Sequence, residues 1–253
     1  MTRRPIVPAA LVTRLPLITA LTTVWVAAWA LTTAGRDHPA PWVATFDDHV
    51  RHLFRPLRGV AEQFAELGNP GRLVLIAAAL IAVCLIGRSR IALAAAGASV
   101  TIQLIVVEGI LKPVIDSRLA PGDAASYPSG HSATAVCLGT LVVLLIGRSA
   151  GPLRLALPRV VRWVFTVLGV AVGPVVGISM ISVGAHTFID VVGALPLGAT
   201  LTLLVCAGID RIGSADQALA AAGSGPDNRS TAATAVTAVT AEPSMSQTPT
   251  TPS

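Results

Sequence analysis

The residues of this chain that could do chemistry together are Lys112, Arg118, Ser129, Gly130, His131, His186 and Asp190. Lys112 is the only lysine, and it ends an apolar run from Ile91 to Leu111. Arg118 follows, and then Pro128-Ser129-Gly130-His131 opens the next apolar run. Two cations, a hydroxyl, bare backbone N–H groups and an imidazole thus share one polar stretch between two apolar ones. A phosphate ester needs such a set around it: positive charge, donors and a proton source. His186 opens a further apolar segment, with Asp190 four residues on. These two pieces read as halves of one site.

The spacing assigns parts to these residues. A helix start after Ser129 offers free N–H groups and the positive end of the dipole, which suits phosphate, and Gly130 lets a ligand approach the backbone closely. If His186 also begins a helix, Asp190 at i+4 shares its face. A carboxylate on one ring nitrogen fixes the tautomer and makes the other nitrogen a better nucleophile or base. Two histidines with different partners can divide the labour, one attacking phosphorus and the other protonating the leaving oxygen. The plain alternatives are a helix cap at a membrane interface for Ser129 to His131, a structural pair for His186 and Asp190, and a snorkelling anchor for Lys112.

Composition says what must hold these residues. Of 253 residues, 53% are hydrophobic and only 12% charged, and the mean hydropathy is +0.72. Soluble domains carry about 25% charge, so the chain reads as a polytopic membrane protein. Its net charge of +5 is then a matter of topology, and no nucleic-acid partner is implied. The fold class expected is all-α: a bundle of six transmembrane helices with an extra amphipathic outer segment. The spans are Leu15 to Ala34, Arg72 to Gly87, Ile91 to Leu111, Ser132 to Gly147, Trp163 to Val183, and His186 to about Ile209. Leu15 to Ala34 has signal-peptide features, but its length favours an uncleaved first helix. Residues 1–212 form the membrane domain, with the site region at 112–190. Residues 213–253, rich in Ala, Thr, Ser, Pro and Gly, read as a disordered cytoplasmic tail.

Arginines cluster at 3–14, at 88–90 and at 148–162. The positive-inside rule puts those connections and both termini in the cytoplasm. The stretch 112–131 and His186 then fall together on the outer face. Glu108, one turn before Lys112 inside a span, needs a partner, and Lys112 is the nearest one.

The segment 35–71 is too polar to span. Phe46, Val50, Leu53, Phe54, Leu57, Val60, Phe64 and Leu67 recur at helical intervals, so it reads as an amphipathic helix on the membrane surface or folded over the site. Thr45 and Asp48 suit its cap, Pro56 splits it, and Gly68-Asn69-Pro70 ends it. His49 and His52 lack a third ligand and read as surface residues. Cys84, Cys137 and Cys206 each lie in an apolar run and read as small buried hydrophobes. No metal or other cofactor is called for.

Lys112 and Arg118, then Pro128-Ser129-Gly130-His131, then Ser179 followed by His186-Thr187-Phe188-Ile189-Asp190 resemble the three signatures of the type 2 phosphatidic acid phosphatase superfamily. That superfamily holds membrane lipid phosphate phosphatases and is related to vanadium haloperoxidases. The resemblance covers about 110 to 195. It implies a metal-independent phosphomonoesterase or diphosphatase acting on a lipid phosphate among membrane lipids, at the outer leaflet of what composition suggests is a bacterial plasma membrane. His186 would be the nucleophile that forms a phosphohistidine, Asp190 its orienting partner and His131 the general acid. Lys112, Arg118, Ser129 and the Gly130 N–H would hold the phosphate oxygens. Polyprenyl phosphates or diphosphates, phosphatidic acid and phosphorylated lipid-linked sugars are the candidate substrates.

Two departures stand out. Five residues separate Lys112 from Arg118 where the family has six, and Pro121 comes one place late. The third signature begins Ser-Arg in the family and Ser179-Met180 here. Methionine neither donates a hydrogen bond nor carries charge. Losing a donor on a phosphoryl oxygen costs on the order of 10²–10³ in rate. Arg118, or an outer arginine such as Arg51, Arg55 or Arg58, would have to replace it. The alternative expectation is a weak or inactive relative that binds a lipid phosphate. A transporter fits less well: no internal repeat is visible, and Glu108 is the one charge placed mid-span.

Overall fold

A computed structural model describes residues 5–36, 38–116, 127–147, 153 and 157–223. Among these the regular structure is helical, and residues 1–210 form one compact unit. After a short turn of helix, Ala9–Val12, comes α1, Leu15–Thr33. The outer segment forms α2, Pro41–Phe54, and α3, Arg58–Leu67, joined by a single 3₁₀ turn, Arg55–Leu57. Then follow α4, Pro70–Ile86; α5, Arg90–Ile115; α6, Gly130–Gly147; α7, Arg159–Val183; and α8, Phe188–Gly223. Among the described residues five helices are long and apolar enough to cross a membrane, or six if the pair Pro41–Leu67 and Gly71–Ile86, bent by 58°, counts as one broken span. The chain is an integral membrane protein of the all-α class.

Several local features follow the residues. Pro56 lies in the 3₁₀ turn that splits the outer segment, since proline removes a helical donor. Asn69 caps α4 by accepting from the Gly71 N–H, and Ser89 caps α5 by accepting from the Ala92 N–H. The outer segment starts earlier than Thr45 and Asp48 indicate. Pro41 is its first helical residue, a place where a missing N–H costs nothing. Thr45 instead bonds back to the Pro41 carbonyl, and Asp48 pairs with Arg51 at 2.9 Å.

Helix α5 also runs past its expected end. Its turns widen to π-helical over Ile105–Leu111 before Lys112–Ile115 closes it, so Lys112 stands in the last helical turn. The wider turns re-register the backbone bonds ahead of Pro113, which has no donor to give. The boundary expected at 213 falls within α8, whose Ala-rich continuation extends to Gly223.

The tightest packing joins α6 to α7. Gly169, Gly173 and Gly177 line one face of α7 at four-residue spacing. A Cβ at Gly169 would lie 2.6 Å from the Gly139 carbonyl oxygen, and Cβ atoms at Gly173 and Gly177 would overlap the Val136 and Val191 side chains. Small residues let two backbones approach this closely inside a membrane, where dispersion contacts replace the hydrophobic effect. Around this seam, one core gathers Leu80, Cys84, Leu141, Leu145 and Cys206, and a second gathers Val26, Val43, Tyr127, Ile189 and Ala194. All three cysteines are buried and free.

Helix α1 is bonded into the bundle. The Trp25 indole donates to the Val192 carbonyl at 3.0 Å, Thr22 and Thr200 share a hydrogen bond at 2.9 Å, and the Tyr127 hydroxyl donates to the Val26 carbonyl at 2.9 Å.

Candidate active site

Ser129 ends the connection into α6 and caps that helix. Its Oγ accepts from the Ser132 N–H at 3.3 Å and donates to the Ser132 hydroxyl at 3.1 Å. The residue is buried, so its hydroxyl is committed to shaping the helix start. Gly130 and His131 then form the first turn of α6.

His186 lies in the turn before α8, two residues ahead of its first helical residue, Phe188. Gly184 ends α7 in the left-handed region, φ 81°, and the Ala185 and His186 N–H groups both return to the Met180 carbonyl. Thr187 and Asp190 close a reciprocal cap. The Thr187 N–H donates to Asp190 Oδ2 at 2.9 Å, and the Asp190 N–H donates to Thr187 Oγ1 at 3.4 Å. This is the capping-box arrangement with aspartate in the acidic position.

The two histidines meet. His131 Nδ1 lies 3.4 Å from His186 Nε2, although 55 residues separate them. On its other side, His186 Nδ1 lies 3.5 Å from Asp190 Oδ2, a separation for ion pairing and a long one for a hydrogen bond. Catalytic hydrogen bonds are often long before substrate arrives. A backbone bond joins the two motifs directly: the Ser129 N–H donates to the Asp190 carbonyl at 3.0 Å.

Lys112 comes to the same place from α5. Its Nζ pairs with Glu108 Oε2 at 2.8 Å, as the i,i+4 spacing predicts. The Glu108 carboxylate lies against Gly130, where a Cβ would overlap Oε1. Thus Lys112, Gly130, His131, His186 and Asp190 converge, while Arg118 lies outside the described residues.

A cavity of about 340 Å³ opens from Lys112, Gly130 and His131 and runs along Leu73, Val74, Ala77, Leu104 and Leu138. Its wall is mostly apolar, with Glu108, Lys112, His131 and Thr134 as its polar members. A second hollow, about 400 Å³, has His131, Met180, Glu62, Glu66 and Asn69 in its wall. Met180 therefore shares a hollow with His131, and is buried against Val176 and Gly68. Of the arginines considered as its replacement, Arg51 lines a small hollow with Asp47, His186 and Thr187, whereas Arg58 pairs with Glu62 at 2.9 Å. Among the described residues no cluster of three His, Cys, Asp or Glu side chains stands together as a metal site, and His49 and His52 gain no third ligand.

Two groups at this site escape a motif-based reading. Asp47 on α2 is buried, and its Oδ1 accepts from the Phe188 N–H at 2.8 Å. Burial pushes its carboxyl up to about 6, against the opposing pull of the Phe188 N–H and of Arg51. Tyr127 is buried with its ring against Gly193, and burial raises its hydroxyl above the ordinary range. Neither residue has a recurring spacing to mark it. Asp47 follows Phe46 on an amphipathic helix and looks there like an ordinary solvated aspartate.

The fold and site together define an α-helical membrane protein with a paired-histidine centre at one end of the bundle. Residues 100–213 match the family model of the PAP2 superfamily, a region that contains Lys112, the Pro-Ser-Gly-His motif and His186 to Asp190. The fold is similar to a crystal structure described as the first transmembrane PAP2 type phosphatidylglycerolphosphate phosphatase from Bacillus subtilis. That likeness has a TM-score of 0.53 at 19% identity, and covers 79% of this chain and 97% of the other. A search of curated proteins gives no match.

Proposed function

We propose that this chain is an integral-membrane lipid phosphatase that hydrolyses a phosphate monoester or diphosphate of a lipid through a phosphohistidine, at the outer leaflet. The observation that carries the reading is the 3.4 Å approach of His131 Nδ1 to His186 Nε2, with Asp190 behind the second ring. In the first step His186 Nε2 attacks phosphorus. The bond from phosphorus to the leaving oxygen breaks, and His131 gives that oxygen its proton. In the second step a water attacks the phosphohistidine, His131 takes the water's proton, and inorganic phosphate leaves. Asp190 stabilises the positive charge that His186 Nδ1–H carries in the intermediate. Lys112 and the N–H groups at the start of α6 hold the phosphoryl oxygens, Ser129 supports that helix start, and Arg118 is assigned to the same oxygens. The apolar cavity along Leu73, Val74 and Leu104 suits the chain of a lipid. The family match supports the hydrolase class. The arginine-rich connections at 88–90 and 148–162 support cytoplasmic termini and an outer site.

The test is phosphate release by the purified protein in detergent, without added metal and with a chelator present. The substrates are short-chain phosphatidic acid, phosphatidylglycerol phosphate and a polyprenyl diphosphate. Release that is lost in His186→Ala, with an acid-labile phosphoryl group trapped on the wild-type chain, is the result expected. Equal release by both proteins refutes the assignment.

Met180 favours a second reading. It lies beside His131 where the family signature has an arginine, so this chain would be a slow or inactive relative that binds a lipid phosphate. Binding without turnover, surviving His186→Ala, is its mark.

A further inference from the structure

We infer that Asp47, on the amphipathic helix outside the spans, is a positioning residue for His186: it locks the corner between α7 and α8 from which the imidazole projects. The inference rests on the reading of His186 as the nucleophile. Four successive amides follow Gly184, and each is held. The Ala185 and His186 N–H groups go to the Met180 carbonyl, and the Thr187 N–H goes to Asp190. Both acceptors, the Met180 carbonyl and the Asp190 carboxylate, belong to α7 and α8 themselves. The fourth, the Phe188 N–H, goes to Asp47 Oδ1 at 2.8 Å, across 141 residues of sequence.

Asp47 is 1% exposed. A carboxylate is costly to bury unless it is bonded, so a buried one spent on a single distant amide has a task at that amide. The neighbouring contact repeats the arrangement: the Phe46 ring packs on the Phe188 ring with centroids 4.3 Å apart. Asp47 also shares a small hollow with His186 and Thr187. It is not in the wall of the Lys112 cavity, and its hydrogen bond is to a backbone amide, so the role assigned to it is through the backbone and not on the phosphate.

The experiment compares Asp47→Ala and Asp47→Asn in the full chain. One arm measures kcat and KM for phosphate release from short-chain phosphatidic acid, and the other measures amide hydrogen exchange of the segment 185–190. Asn keeps a carbonyl oxygen for the Phe188 N–H, and Ala does not. Asp47→Ala is expected to lower kcat about ten- to a hundredfold, the worth of one hydrogen bond to a charged group. KM should stay within about twofold, and exchange at Phe188 should accelerate. Asp47→Asn is expected to bring kcat back to within about threefold of wild type and to restore protection. A loss carried by KM, an Asp47→Ala enzyme as fast as wild type, or an Asn variant as poor as the Ala variant overturns the inference. If the wild-type chain releases no phosphate, the hydrolase reading falls by itself and the exchange arm still decides. Faster exchange at Phe188 in Asp47→Ala alone supports the lock, and unchanged exchange overturns it.

Discussion

Replacing Gly130 by alanine separates the chemistry of this site from its stability. A Cβ at Gly130 would overlap Glu108 Oε1 and stand 3.5 Å from Lys112 Nζ. The stability cost is small. The obstacle is the tip of a flexible side chain, 46% exposed, which can swing aside. What is lost is a partly exposed ion pair, about 0.5–1 kcal/mol. Alanine in place of glycine in a helix returns about the same amount. The two nearly cancel, so the unfolding free energy should move by no more than about 1 kcal/mol. The catalytic cost is larger. The new methyl stands at the start of α6, between Lys112 and the N–H groups assigned to the phosphoryl oxygens. Loss of one such donor is worth about 10²-fold in kcat, or about 2.7 kcal/mol. Initial rates of phosphate release and unfolding in the same detergent measure both quantities. A Gly130→Ala enzyme within threefold of wild type would refute the placement of the phosphate there. An unfolding loss above about 3 kcal/mol, the scale of an unrelieved core clash, would refute the mobile carboxylate.

Other outcomes follow from the same structure. Met180→Arg should raise kcat by about tenfold or more, because it returns a cation beside His131, while lowering stability by about 1–3 kcal/mol through overpacking against Gly68 and Val176; rates and melting curves on one sample check both. The Asp47 carboxyl, raised from 3.8 to about 6, binds a proton more tightly folded than unfolded. Stability from this group is therefore fully present below pH 3.8 and falls as pH rises to about 6, by on the order of 3 kcal/mol. Unfolding of Asp47→Asn should lack that slope, so the variant gains on wild type between pH 4 and 7. Gly169→Ala should cost about 2–4 kcal/mol, because its methyl meets a backbone carbonyl that cannot move aside. Gly59→Ala, with open space around it, should be neutral or stabilising by about 0.4–1 kcal/mol.

Much of the bundle can be read from the chain because membrane spans announce themselves by length and apolarity. The bounds of α1, α6 and α7 lie within a few residues of the hydropathy limits, and the Glu108–Lys112 pair follows from i,i+4 spacing alone. The meeting of His131 with His186 at 3.4 Å is legible because each histidine opens an apolar run. Two features resisted such reading, and a third was open between the membrane surface and the site. The start of the outer helix is set by Pro41 and not by the better capping side chains at Thr45 and Asp48. The start of α8 is set by the Thr187–Asp190 box, which moves His186 out of the helix into the preceding turn. The apolar stripe of α2 and α3 faces outward: Phe46, Leu53, Leu57, Val60 and Phe64 are exposed, while Val43, Asp47, Ala61 and Ala65 are buried. Periodicity finds a stripe, but in a membrane protein the greasy side need not be the inner one. Asp47 was hidden for the same reason, since a lone aspartate on an outer helix looks like a solvated one.

The glycine contacts between α6 and α7 bear on where this chain is free to vary. At positions 169, 173 and 177, and at 139 opposite, any side chain larger than hydrogen meets backbone or a neighbouring branch. Larger residues at these four positions would part α6 from α7 and so disturb the approach to His131 and His186. The opposite wall has no such constraint: Val74, Ala77 and Leu104 look into the apolar cavity from α4 and α5. On the proposed reading, a lipid chain in that cavity would be refitted by changes at Val74, Ala77 and Leu104, which leave the glycine seam untouched.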